Sequence, residues 1–104
     1  MSFEWRGGVP VVQRVSGVDT TGREIILQEN TSVRLTTKHL RINNTGSENL
    51  LIFFSEEAFL AGVSYILLTA ADPPLSEPIE AERIWVKAAA NTTDVEILSF
   101  FRRG

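Results

Sequence analysis

The chain has 104 residues, of which 43% are hydrophobic and 22% charged, with a formal net charge of −3 and no cysteine. That length is enough for one domain, and that balance excludes a disordered tail. The acidic balance gives no electrostatic footprint for nucleic acid, and the missing cysteines exclude disulfides and thiolate metal sites, so stability must come from packing.

From Met1 to Gly22, Gly7-Gly8, Pro10, Gly17 and Gly22 punctuate the chain too often for a helix, and the reading is an extended N-terminal arm. Residues 23–104 form the single folded domain. Met1–Arg6 lacks the charged-then-apolar pattern of a leader, and no apolar run approaches membrane-spanning length. The expectation is therefore a chain made and used without crossing a membrane, and with no membrane partner. Arg23–Gln28 reads as a strand with Ile25 and Leu27 on one face and Ile26 on the other. A turn at Glu29–Thr31 and a short strand over Ser32–Thr37 follow.

His39–Asn43 alternates with Leu40 and Ile42 inward. Asn44–Glu48 is a turn, and Asn49–Phe54 is apolar at nearly every position, which suggests a strand covered on both faces. Ser55 can cap a single helical turn over Glu56–Ala61, with Glu56-Glu57 at the positive end of its dipole. Val63–Thr69 is a strand, Ala70–Pro74 a turn and Leu75–Ile79 a short extended piece. Arg83–Ala88, a turn at Asn91–Thr93 and Asp94–Phe101 repeat the strand–turn–strand pattern of His39–Phe54, and both are read as hairpins. Seven or eight short strands at close spacing predict an all-β protein, an antiparallel β-sandwich or small jelly roll.

Catalytic chemistry is weakly represented. His39 is the only histidine, and its neighbours Lys38 and Arg41 are cationic, so it reads as a strand residue rather than a base or a zinc ligand. Glu77, Glu80 and Glu82 lack the spacing and obligatory glycine of a calcium loop. Ser16, Ser55, Ser64 and Ser99 lack a nucleophile elbow, and Gly7-Gly8 follows no strand that would make it a phosphate cradle. Asn-x-Ser/Thr triplets begin at Asn30, Asn43 and Asn91 and read as turn chemistry. The expectation is a non-enzymatic protein with no metal and no cofactor.

The aromatic residues say more. Phe3 and Trp5 lie in an arm that cannot bury them locally, and such anchors fill pockets on their own domain or on a neighbour. Trp85 lies on the strand face opposite Ile84 and Val86. The expected protein-interface residues are Phe3, Trp5, Val9, Val11 and Val12 in the arm, Phe53 and Trp85 on a sheet face, and Arg102 and Arg103 for pairing with acidic groups. Trp85 with Tyr65 could instead form a stacking platform for sugars, as in a carbohydrate-binding module.

The series Leu40–Ser47, Ile52-Phe53-Phe54, Ile84–Ala88 and Asp94–Leu98 resembles small structural proteins of tailed bacteriophage virions, among them capsid decoration (cement) proteins and tail, neck or baseplate accessories. The likeness covers about residues 33–100. It departs at Glu56–Gly62, which is insertion-like, and at Ala70-Ala71, where a glycine turn would be usual. It implies a compact jelly-roll-like fold on the virion surface, made in the host cytoplasm and assembled as symmetric copies, dimers or trimers. The implied partner is the major capsid protein or another virion protein, and neither catalysis nor a cofactor is involved.

Overall fold

The computed structural model of the protein describes residues 10–27 and 36–101. Among these described residues eight strands and one short helix follow one another: β1 (Val11–Val18), β2 (Arg23–Ile26), β3 (Thr37–Asn44), β4 (Leu50–Phe53), α1 (Glu56–Ala61), β5 (Ile66–Leu68), β6 (Leu75–Glu77), β7 (Arg83–Ala88) and β8 (Thr93–Phe101). They form two four-stranded sheets, ordered β1-β8-β3-β6 and β2-β7-β4-β5. All pairings are antiparallel. The first strand pairs with the last, β2 with β7, β3 with β6 and β4 with β5. The chain is thus one long hairpin rolled up on itself, which is the jelly roll.

Period-two alternation decides which residues lie between the sheets. Val18, Leu40, Ile42, Val95 and Ile97 from one sheet meet Ile25, Leu50, Ile52, Leu68, Ile84 and Val86 from the other, all buried. Fully burying a side chain of this size stabilises by about 1.5–3 kcal/mol. Leu27, just past β2, joins them, and its amide donates to the Glu82 carbonyl at 2.9 Å. Leu40 and Ile42 face inward and His39 and Arg41 outward, as the alternation predicts.

The two expected hairpins take a different form. Their strands exist, but β3 and β4 lie in opposite sheets, as do β7 and β8. Each turn is an arch that carries the chain across the sandwich. Alternation fixes the face a residue presents, and an arch satisfies it as well as a hairpin does. Side-chain chemistry at the corner makes the choice. Asn44, buried at the end of β3, donates through Nδ2 to the carbonyls of Glu48 (2.7 Å) and Leu68 (3.0 Å). Its Oδ1 accepts from the Gly46 amide (3.1 Å) and from Thr93 Oγ1 (2.8 Å). A methyl group at Gly46 would collide with Thr93, so only glycine lets the β3–β4 arch lie against the start of β8. At the other arch, the amides of Ala88 and Ala89 donate to the carbonyls of Asp19 and Asn49, both at 2.9 Å.

The reading of residues 1–22 as an arm is corrected from Val11 onward. Val11–Val18 is an integral strand, paired with β8 from Val11↔Ser99 to Val15↔Val95 and, after a register shift, at Val18↔Thr93. Gly17 marks that irregularity, and Gly22 serves the turn into β2. Gly22 has φ +85°, and a Cβ there would come within 2.7 Å of Phe59 and the Val86 carbonyl. Asp19 Oδ1 accepts from the Thr21 and Gly22 amides at 3.0 Å, completing an Asx turn. The expected turn at Glu29–Thr31 and most of the strand over Ser32–Thr37 lie outside the described residues.

Candidate docking surface

The outer face of the β2-β7-β4-β5 sheet is the more apolar of the two. Register places Ile26 beside Arg83, Trp85 between Glu24 and Phe53, and Leu51 between Lys87 and Leu67. Over one end of this face lies α1. Ser55 caps it, with Oγ accepting from the Ala58 amide at 3.1 Å, and the Gly62 amide closes the other end on the carbonyls of Ala58 and Phe59. The cap sets the helix so that Phe59 meets Phe53 edge-on at 5.4 Å between ring centroids. Tyr65 approaches Phe53 from β5's side at 5.5 Å, and the Lys87 ammonium lies 5.6 Å from the same ring.

Phe53 is therefore fully buried. Its expected role as an outward contact is corrected: the short helix covers it. Beyond that cover, exposed apolar side chains concentrate in the segment from α1 through β5. Among the described residues six large hydrophobic side chains are exposed, and four of them belong here: Leu60 (75%), Val63 (53%), Tyr65 (45%) and Leu67 (49%). Four exposed apolar side chains within the eight residues 60–67 make this segment the strongest candidate for a contact surface among the described residues.

The sequence contains a signal for this segment. Phe59 and Leu60 are adjacent on a helix, so only one can face the sheet. Val63–Leu68 is apolar at five of six positions, so a strand there must expose alternate members unless both faces are covered.

Of the expected interface residues, Phe3, Trp5, Val9, Arg102 and Arg103 lie outside the described residues. Val11 is half-buried in β1, and Val12 is 48% exposed on the outer face of the other sheet, opposite Leu98. Trp85 is half-buried on the outer face of β7, in a row with Glu24, whose carboxylate pairs with Arg83 at 2.6 Å. The structure does not gather Val12 and Trp85 into one surface, because they sit on opposite sheets.

On the outer face of the β1-β8-β3-β6 sheet, His39 Nε2 and Ser76 Oγ share a hydrogen bond of 2.8 Å, and the imidazole meets Phe100 edge-on at 5.8 Å. Nucleophilic catalysis also needs a group orienting the second ring nitrogen and donors for an oxyanion. Neither contacts this pair among the described residues. Two shallow clefts lie near β1. One, of about 320 Å³, is bounded by Gln13, Val15, Arg23 and Ile26. The other, of about 250 Å³, is bounded by Arg14, Thr45, Asp94 and Glu96, where Arg14 and Glu96 pair at 2.9 Å. No group of three potential metal ligands is present among the described residues.

No family model, curated protein or solved structure matches the chain.

Proposed function

We propose that the protein is a non-enzymatic structural component of a tailed-phage virion, a capsid decoration protein that binds the outside of the assembled shell and bridges neighbouring subunits. The observation that carries this reading is the run of exposed apolar side chains Leu60, Val63, Tyr65 and Leu67, borne on a jelly roll. Four side chains are far fewer than the roughly 20–30 residues per side that a stable pairwise interface uses. Such a run suits weak contacts repeated by lattice symmetry, where linked sites exceed any single one. A ligand that binds only the assembled lattice stabilises it by mass action. The resemblance over residues 33–100 to virion β-sandwich proteins points the same way.

The test uses particles of a tailed phage that encodes the chain. Cryo-electron microscopy of wild-type and deletion virions is expected to show extra density on the shell of the former only, and deletion virions should release DNA at lower temperature. Purified protein should co-sediment with deletion shells, and the Leu60→Glu, Val63→Glu double variant should remain soluble without binding. Density on the tail, neck or baseplate would move the protein to the alternative virion site, and its absence from every part of the particle would end the proposal. A sugar platform of Trp85 and Tyr65 is less well supported. The two rings share a face, but Phe53 separates them, and it is buried beneath α1.

A further inference from the structure

Between β4 and β5 the chain makes an excursion that is held to the rest of the molecule chiefly by one side chain. Of residues 55–64, seven are exposed and three, Ala58, Phe59 and Gly62, are half-buried. Among the described residues their hydrogen bonds all fall inside the excursion. The Ala58 amide donates to Ser55 Oγ, the Phe59 amide to the Ser55 carbonyl, and the Gly62 and Val63 amides to the Ala58 carbonyl. The Phe59 ring ties this stretch down, lying edge-on to Phe53, 5.9 Å from the Lys87 ammonium and close against Gly22. Both ends join paired strands, since Ile52 faces Ile66 across the β4–β5 ladder. A compact loop with close ends, packed by its own contacts, is built to turn about those ends as a unit. At its second end the backbone is left-handed at Gly62 (φ +70°) and again at Ser64 (φ +57°). In a serine that conformation persists only where the surroundings impose it. Ser64 is exposed, and its side chain makes no hydrogen bond among the described residues, so what imposes it is the closed position of the excursion.

We infer that residues 55–64 form a hinged lid over Phe53, which opens by rotation at Ser55 and at Gly62–Ser64 while the sandwich stays folded. Opening breaks no hydrogen bond to the sandwich. It gives up the Phe59 contacts and releases the left-handed Ser64. Segments with so few buried contacts open at a smaller free energy than the sheets beneath them. Six residues are too few to stay helical alone in water, so α1 melts as it leaves. In the closed state Phe53 is fully buried. In the open state it joins Trp85, directly opposite on β7, and Leu51, two residues back along β4, in one apolar strip on the outer face. The lid is a property of this fold and does not rest on the virion reading.

Two readouts on the full chain test it. Amide exchange followed by NMR is expected to show Phe59, Gly62 and Val63 exchanging together, at least about a hundredfold faster than the β3 amides paired with β8. Low concentrations of urea should leave the lid rates nearly unchanged and accelerate the β3 rates, because only global unfolding exposes much surface. The chain has no cysteine, so a single introduced thiol reports on what the lid covers. Phe53→Cys should react with a thiol reagent at a rate nearly independent of urea. Ile97→Cys, in the core between the sheets, should react only through global unfolding. One shared rate and urea slope for the lid and β3 amides would overturn the inference. So would labelling of Phe53→Cys at the rate and slope of Ile97→Cys, which would mean that α1 frays without uncovering Phe53. If Phe53→Cys fails to fold, the amide comparison on the unaltered chain decides alone.

Discussion

Two buried polar residues make opposite predictions. Asn44 uses both its donors and both its acceptor positions in the corner where β3, β5 and β8 meet. Asn44→Ala strands the Thr93 hydroxyl and the Leu68 carbonyl in a dry site, at about 1–3 kcal/mol for each buried group left without a partner. Urea unfolding should show a loss of about 3 kcal/mol or more, and a loss under about 1 kcal/mol would mean that water reaches the corner. Ser99 is the reverse case. It faces the core between Val11 and Leu40, is fully buried, and its Oγ has no hydrogen-bond partner among the described residues. Ser99→Ala removes that desolvated hydroxyl at almost no cost in volume, so a gain of about 1 kcal/mol is expected. In a domain of this size that raises Tm by about 4–8 °C in a calorimetric scan. An unchanged or lowered Tm would show that the hydroxyl is bonded after all.

At the scale of elements, α1 does more than its six residues suggest. It has no buried residue of its own, yet it closes Phe53 from solvent through Phe59. Ser55→Ala, which removes the cap bond to the Ala58 amide, should cost about 1 kcal/mol. Phe59→Ala should cost about 2–4 kcal/mol, near the lower part of the range for a buried aromatic because Phe59 is itself half-exposed. It should also raise binding of an apolar dye as Phe53 is uncovered. Equal costs for the two variants would refute the view that Phe59 is the helix's main contact. The helix, its cap and the inward faces of β2, β3, β7 and β8 were all legible in the chain, because capping and alternation are local. Partner choice was not, since an arch and a hairpin bury the same alternate residues. Only the start of β1 was legible, in the β-prone, proline-marked run Val9–Val12 that suits an edge; the rest was not, because Gly17 and Gly22 read as breaks, whereas one marks an irregularity near the strand's end and the other the turn beyond it. Phe53 was misread as an outward contact because its cover comes from Phe59, which follows it after a change of direction that no periodicity records.

For the molecule as a whole, the rolled-up topology dictates an order of assembly. β4 and β5 are joined through α1, and their ladder closes a short loop. β1 and β8 are separated by nearly the entire chain, so their pairing bears the largest closure entropy and gains most from structure already formed. Non-local β pairing of this kind places folding in the millisecond-to-second range. The nucleus should therefore include the β4–β5 tip, with the β1–β8 ladder added late. Leu68→Ala and Val95→Ala remove comparable buried apolar groups, one from each place. Leu68→Ala should mainly slow folding, with a φ-value above about 0.5, and Val95→Ala should mainly speed unfolding, with φ below about 0.3. Stopped-flow chevrons of the two variants decide the matter. The reverse assignment would mean that the outer strands nucleate the roll, and that closure entropy does not set its order of assembly.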